Sequence, residues 1–194
     1  AQEIVAWESP LNISNSPTSS IHPAIVADSY GYIHVFWSED LEGRVIGADG
    51  LPVSGHSIMY RRWDGQVWTE PLSILVAPDD PMADFVAATV DGNQLYLVWT
   101  GLTNLYYSTA PATEAYSVRA WSTPRVIAPD SARTAFESDV VVDSRGNVHI
   151  VYATRGSSTG VFHTMAPCDS AAWTMPVRVF VRLRANETAY KDVR

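Results

Sequence analysis

The chain repeats itself, and the repeat limits what it can fold into. Four Trp-x-x-Pro tetrads begin 61, 53 and 52 residues apart: Trp7-Glu8-Ser9-Pro10, Trp68-Thr69-Glu70-Pro71, Trp121-Ser122-Thr123-Pro124 and Trp173-Thr174-Met175-Pro176. A second block follows each of the first three. These blocks read PAIVADSYGYIHVFW (Pro23 to Trp37), FVAATVDGNQLYLVW (Phe85 to Trp99) and SDVVVDSRGNVHIVY (Ser138 to Tyr152). Two motifs recurring in fixed order describe a structural unit of about 50 residues.

Each unit spells out strands. Val and Ile dominate the second block, and apolar residues alternate over Ile33, Val35 and Trp37. Asp28-Ser29-Tyr30-Gly31, Asp91-Gly92-Asn93 and Asp143-Ser144-Arg145-Gly146 have the composition of hairpin turns, with Asp bonding its own backbone and Gly or Asn taking positive φ. A third strand is expected at Ile58-Met59-Tyr60, Leu105-Tyr106-Tyr107 and Val161-Phe162-His163. The Trp-x-x-Pro segment supplies the fourth, because an outermost strand tolerates proline on its unpaired side. No stretch longer than about ten residues carries a 3.6-residue apolar period. The reading is all-β: a β-propeller of four-stranded antiparallel blades.

Strand accounting then divides the chain. Residues 1–14 are expected to be the outer strand of a preceding or closing blade, and 15–77, 78–129 and 130–187 three whole blades. Residues 188–194 repeat the start of the third blade and are expected to open the next one. Three blades alone leave two open sheet edges. The rest of the propeller, or a second copy, is therefore expected to close the ring. At about 53 residues per blade, six blades need about 320 residues, and the chain is read as part of such a protein.

Composition narrows the partners. The 194 residues are 46% hydrophobic and 18% charged, enough for a core without staples. A net charge of −8 and a pI near 4.9 argue against nucleic acid and anionic membranes. No run of 18 apolar residues is present to insert into a bilayer. Cys168 is the single cysteine, so neither an internal disulfide nor a cysteine-built zinc site is possible. An opening Ala1-Gln2-Glu3 is what cleavage of a leader leaves, and the expected location is secreted or cell-surface.

The blade pattern resembles the sialidase-like propellers that carry bacterial neuraminidase repeats, or Asp-boxes. The box, Ser-x-Asp-x-Gly-x-x-Trp, lies between the third and fourth strands of a blade in that superfamily. Here Trp63-Asp64-Gly65-Gln66-Val67-Trp68 keeps Gly65 and Trp68 but has Arg61 and Trp63 at the Ser and Asp positions. The second and third blades have Val118 and Ser170 where the glycine belongs, so the boxes are degenerate. The resemblance implies that such boxes are structural and sit opposite the active site. It also implies an arginine triad, a Tyr–Glu nucleophile pair and an Asp acid. None of these maps onto this chain, which also lacks the Phe/Tyr-Arg-Ile-Pro start.

In a propeller the connections from fourth to first strand and from second to third strand share one face, where ligands bind. The first set covers residues 15–22, 78–84 and 130–137, and the second 38–57, 100–104 and 153–159. The connection from Ser38 is about 20 residues long, and such loops on rigid scaffolds tend to be functional. It holds Glu39, Asp40, Glu42, Arg44 and Asp49, though a solvated insertion or a contact to another domain accounts for it somewhat better. Arg44, Arg133 and Arg155 all fall on this face, and arginine forks suit a carboxylate. Glu137 and Asp139 share one side of a strand, about 7 Å apart. The candidate ligand-binding set is therefore Glu39, Asp40, Arg44, Arg133, Glu137, Asp139 and Arg155, with no catalytic residue assigned.

Three carboxylates, Asp79, Asp80 and Asp84, offer hard ligands for Ca²⁺, but a solvated loop or turn cap accounts for them better, and no cofactor is expected. His34, Tyr96 and His149 occupy one repeat position, which points to packing or a hydrogen bond rather than a metal. Trp37, Trp99 and Tyr152 read as inter-blade core, whereas Trp63 has no counterpart and is a stacking candidate on the opposite face. The leading functional expectation is a module that binds a glycan or protein. The alternatives are a sialidase-type glycoside hydrolase acting on sialic-acid or other acidic glycans, and an architectural propeller in a surface assembly.

Overall fold

The computed structural model describes residues 9–41, 45–46, 52–53, 55–75, 80–102, 104–127, 135–154, 159–170 and 172–180. The strands in chain order are β1 (Ser20–Ala27), β2 (Ile33–Asp40), β3 (Val45–Ile46), β4 (Pro52–Val53), β5 (His56–Trp63) and β6 (Leu72–Leu75). They continue with β7 (Asp84–Asp91), β8 (Gln94–Thr100), β9 (Leu105–Pro111), β10 (Arg125–Ile127), β11 (Ala135–Val142), β12 (Asn147–Thr154), β13 (Gly160–Pro167) and β14 (Val177–Phe180). Three antiparallel four-stranded sheets result: β1-β2-β5-β6, β7-β8-β9-β10 and β11-β12-β13-β14. The small hairpin β3-β4 stands within the long connection of the first blade. Among the described residues the one helical element is a 3₁₀ turn at Val118–Ala120. The fold is an all-β assembly of propeller blades.

The turn chemistry is as the sequence requires. The Asp28 carboxylate accepts from the Tyr30 and Tyr32 amides at 2.9 Å each, and Asp143 accepts from Arg145 and Asn147 at 2.8 and 2.9 Å. Gly31 and Gly146 take φ of +89° and +76°, which a side chain would resist.

Two cores lie in the seams between blades. Phe36, Ile58 and Tyr60 of the first blade meet Leu95, Leu97 and Trp99 of the second. The opposite face of that second sheet presents Tyr96, Val98 and Tyr107 to Val148, Ile150 and Tyr152 of the third. Strand β8 is thus apolar on both sides, and its run Leu95–Trp99 is continuous rather than alternating. Trp37, Trp99 and Tyr152 are all buried, as their shared repeat position suggested.

The fourth strands correct the sequence reading. They begin after the last three Trp-x-x-Pro tetrads, not within them, because Pro71, Pro124 and Pro176 have no N–H to give a ladder. The hydroxyl residue after each tryptophan makes the last pairing instead. Thr69, Ser122 and Thr174 donate their amides to the carbonyls of Arg62, Thr109 and Met165 at 2.8–2.9 Å. Their side-chain oxygens accept the amides of the same three residues at 3.0–3.1 Å. In the second and third blades the indole beside this two-point clip lies across the seam. Trp121 meets Phe36 and Tyr60 of the preceding blade with ring centroids 5.8 and 6.4 Å apart, and Trp173 meets Tyr107 at 5.2 Å.

Residues 9–14, expected within an outer strand, form no ladder among the described residues. They lie over the outer side of the first blade, where Leu11 to Ser14 wall a cavity with Val35 and Trp37, and Arg61 donates to the Ile13 carbonyl at 2.6 Å. Trp63 packs on Trp68 at 5.5 Å and is half-buried.

Candidate functional site: the bulged ends of the inner strands

Each innermost strand breaks register near its start. The irregularities fall between Ile21 and Ala24 in β1, Asp84 and Ala87 in β7, and Ala135 and Glu137 in β11. A bulge re-aims side chains and marks places where function departs from packing. Here two bulges hold non-glycine residues in the left-handed region: His22 at φ +51° and Phe85 at φ +48°. That conformation is costly for bulky residues, by about 1–3 kcal/mol each, and persists only where surroundings impose it.

The three bulges converge. His22, Pro23, Phe85, Val86, Glu137 and Ser138 line one cavity of about 160 Å³ where the three blades meet. The His22 ring stacks on Phe85 with centroids 4.0 Å apart. His22 Nδ1 bonds Asp84 Oδ1, and His56 Nδ1 lies 3.5 Å from Asp84 Oδ2. The same Asp84 oxygen that holds His22 accepts the Phe85 amide at 3.0 Å, tying the carboxylate to the bulge. Since a carboxylate can only accept, His22 carries its proton on Nδ1 when neutral and leaves Nε2 as an acceptor. Glu137 stands exposed at the cavity wall, with Ser138 donating to the Phe85 carbonyl at 3.5 Å. One blade therefore contributes an imidazole, the next an aromatic ring and the third a carboxylate.

The candidates from sequence separate clearly. Glu137 and Asp139 follow the β11 bulge on one side of a regular ladder, both exposed, opposite Ala153 and Val151. Glu39 and Asp40 lie in β2, which runs further than the charge-rich segment suggested. Glu39 is only 4% exposed, and its carboxylate accepts from Thr18, Ser20 and the Trp37 indole at 2.7, 2.7 and 2.9 Å, and from Ser16. Asp40 pairs with His56 across the ladder and donates its amide to the Ser19 carbonyl at 2.9 Å. Arg44, Arg133 and Arg155 lie outside the described residues, as do Glu42, Asp49 and Asp79. Asp80 is a turn cap: it accepts from the Met82 and Leu102 amides at 3.1 and 2.9 Å and from the Tyr106 hydroxyl at 3.2 Å.

His22, Phe85 and His56 were not among the sequence candidates, and Asp84 figured there only as a calcium ligand or turn cap, yet a signal for the cavity exists. His22, Phe85 and Glu137 each stand six residues before the turn aspartate of their block. A repeat position that changes from His to Phe to Glu is not filling one packing role.

The other end of the same blades is structural. His34 Nε2 bonds Asp28 at 3.1 Å and its Nδ1 bonds the Tyr60 hydroxyl at 2.8 Å, wholly buried. In the third blade Asp143, His149 and His163 form the same chain with links of 3.0 Å. These are the hydrogen-bonded histidines the repeat position implied.

No protein-family model matches the chain, and no curated protein matches it in sequence. Solved structures do. The α-L-arabinofuranosidase of Podospora anserina, in complex with cellotriose, is 17% identical over 90% of this chain and 55% of its own, with a TM-score of 0.58. The sialidase of Trypanosoma rangeli is 13% identical over 85% of this chain and 31% of its own, with a TM-score of 0.57. A family 43 arabinoxylan arabinofuranohydrolase from Bacillus subtilis, in complex with cellotetraose, is 12% identical over 87% and 43%, with a TM-score of 0.58. The chain thus spans about half the length of the arabinofuranosidases it matches. Sialidases are one group among several with this fold, and the degenerate boxes find no separate support. At these identities the likeness establishes architecture alone.

Proposed function

We propose that the chain belongs to a carbohydrate-recognising propeller whose glycan sits at the bulged ends of the inner strands. The observation that carries this reading is the convergence of His22, Phe85 and Glu137, from three blades, on one cavity. An aromatic face and a carboxylate acceptor are the two things a sugar needs: apolar C–H surface to cover and hydroxyl protons to take. The folds of similar shape include proteins named for arabinofuranosides, arabinoxylan and sialic acid, which supports a glycan over a protein ligand. The test is a calorimetric titration with arabinoxylan, cello- and sialyl-oligosaccharides. Glu137→Ala is expected to weaken the productive titration at least tenfold while leaving the melting temperature nearly unchanged. A glycan that binds the variant equally well would place recognition elsewhere.

A hydrolytic reading has one observation of its own. Two carboxylates from different blades stand at this end in unlike surroundings, Asp84 held between imidazoles and Glu137 exposed. A pair of carboxylates is what glycoside hydrolysis uses as acid and as base or nucleophile. On this reading the protein releases the chromophore from an aryl glycoside of the sugar it binds, and Glu137→Gln lowers kcat at least a hundredfold. Binding without any turnover would reduce the site to recognition.

A further inference from the structure

In each blade one face of the second and third strands turns toward the blade that follows. On the first blade that face carries Phe36 and Tyr60, both fully buried, and on the second Val98 and Tyr107, exposed by 0% and 6%. Both faces receive the tryptophan of the next Trp-x-x-Pro tetrad, Trp121 and Trp173 respectively. The ladder pairs Phe36–Tyr60, Val98–Tyr107 and Val151–His163 identify the matching place on the third blade. There Val151 is 40% exposed, with Asp139 opposite it where the closed seams have Ala24 and Ala87. Val141, two residues further along the same side of the inner strand, is 56% exposed.

We propose that Val151 and His163 form the seat for the tryptophan of a further blade of this same repeat, carried by the same polypeptide. The two closed seams specify the occupant: an indole set edge-on to a ring, anchored by a Ser or Thr clip and followed by proline. His163 supplies the ring where Tyr60 and Tyr107 supply it in the earlier seams. It is held by stacking on His149 at 5.2 Å and by the 3.0 Å bond between their nitrogens. Length agrees, since the chain covers 55% and 54% of two folds of this shape, leaving room for blades beyond the third. A second copy fits less well. The surface it would have to offer, around Val35 and Trp37 of its first blade, is already overlaid by Leu11 to Ser14.

Cysteine accessibility tests this in the complete natural polypeptide with Cys168→Ser as background. Val151→Cys is expected to react with a maleimide at least tenfold more slowly than Ser144→Cys, which sits in an exposed turn, at every protein concentration. Val141→Cys reads the same face independently, should the first variant fold poorly. Equal rates at the buried-face and turn positions would overturn the proposal. Protection that vanishes on dilution would also overturn it, by assigning the face to a second copy.

Discussion

A buried imidazole between a carboxylate and a phenol makes His34 a pH-sensitive group of the fold. Burial pushes its pKa below the ordinary value, and Arg62 adds to that. The Asp28 bond and charge oppose it without cancelling it. Burial also raises Tyr60, so its hydroxyl remains a donor to His34 Nδ1. The folded state then binds fewer protons than the unfolded one across the interval between the two histidine pKa values. The stability this provides is complete above the unfolded value of about 6.5 and is lost as pH falls below it. His34→Gln is expected to flatten the decline in melting temperature between about pH 7 and 5. An unchanged slope would show that another group controls it. Asp143 is held far below the usual carboxylate range by Asn147 first and then by His149, so its contribution disappears only in a separate acid window, below about pH 4. At this scale the sequence was informative wherever a residue recurs. The equivalence of His34 and His149 signalled hydrogen-bonded chains, whereas His22 and Phe85 went unnoticed because their repeat position carries a different side chain in each blade.

Elements follow the same logic. The first and second strands of each blade were legible because apolar runs and turn residues are local signals, and Asp28, Asp91 and Asp143 mark the hairpins between them. The outer strands were displaced in the reading because the proline that marks the tetrad also ends its ladder. The length of β2 was hidden for another reason. Glu39 reads as a loop residue until Ser16, Thr18, Ser20 and Trp37 surround its carboxylate, and three of those partners lie about 20 residues away. The clip and its indole contribute differently to stability. Trp121→Ala removes a buried ring from the first seam and is expected to cost about 3–5 kcal/mol in denaturant unfolding. Ser122→Ala removes the acceptor for the Thr109 amide and a hydroxyl partner of Ser108 3.2 Å away, and is expected to cost about 1 kcal/mol. Equal costs would mean that the tetrad serves the outer strand rather than the seam.

For the whole molecule, apolar seams stack three sheets so that the starts of their innermost strands meet. The bulges there turn a packed strand end into a small polar and aromatic concavity, while the opposite ends of the first and third sheets are tied by aspartate–histidine chains. Propeller architecture was legible from the repeat. The concavity was not, because it depends on how strands from three blades meet and on backbone strain that no local pattern encodes. The most direct measurement of the central claim is an amide-resolved NMR titration with the oligosaccharide that binds best. Recognition at the bulged ends predicts the largest shifts at His22, Phe85, Val86, Glu137 and Ser138. Shifts centred instead on the Asp28 and Asp143 turns, with those five amides unmoved, would contradict it.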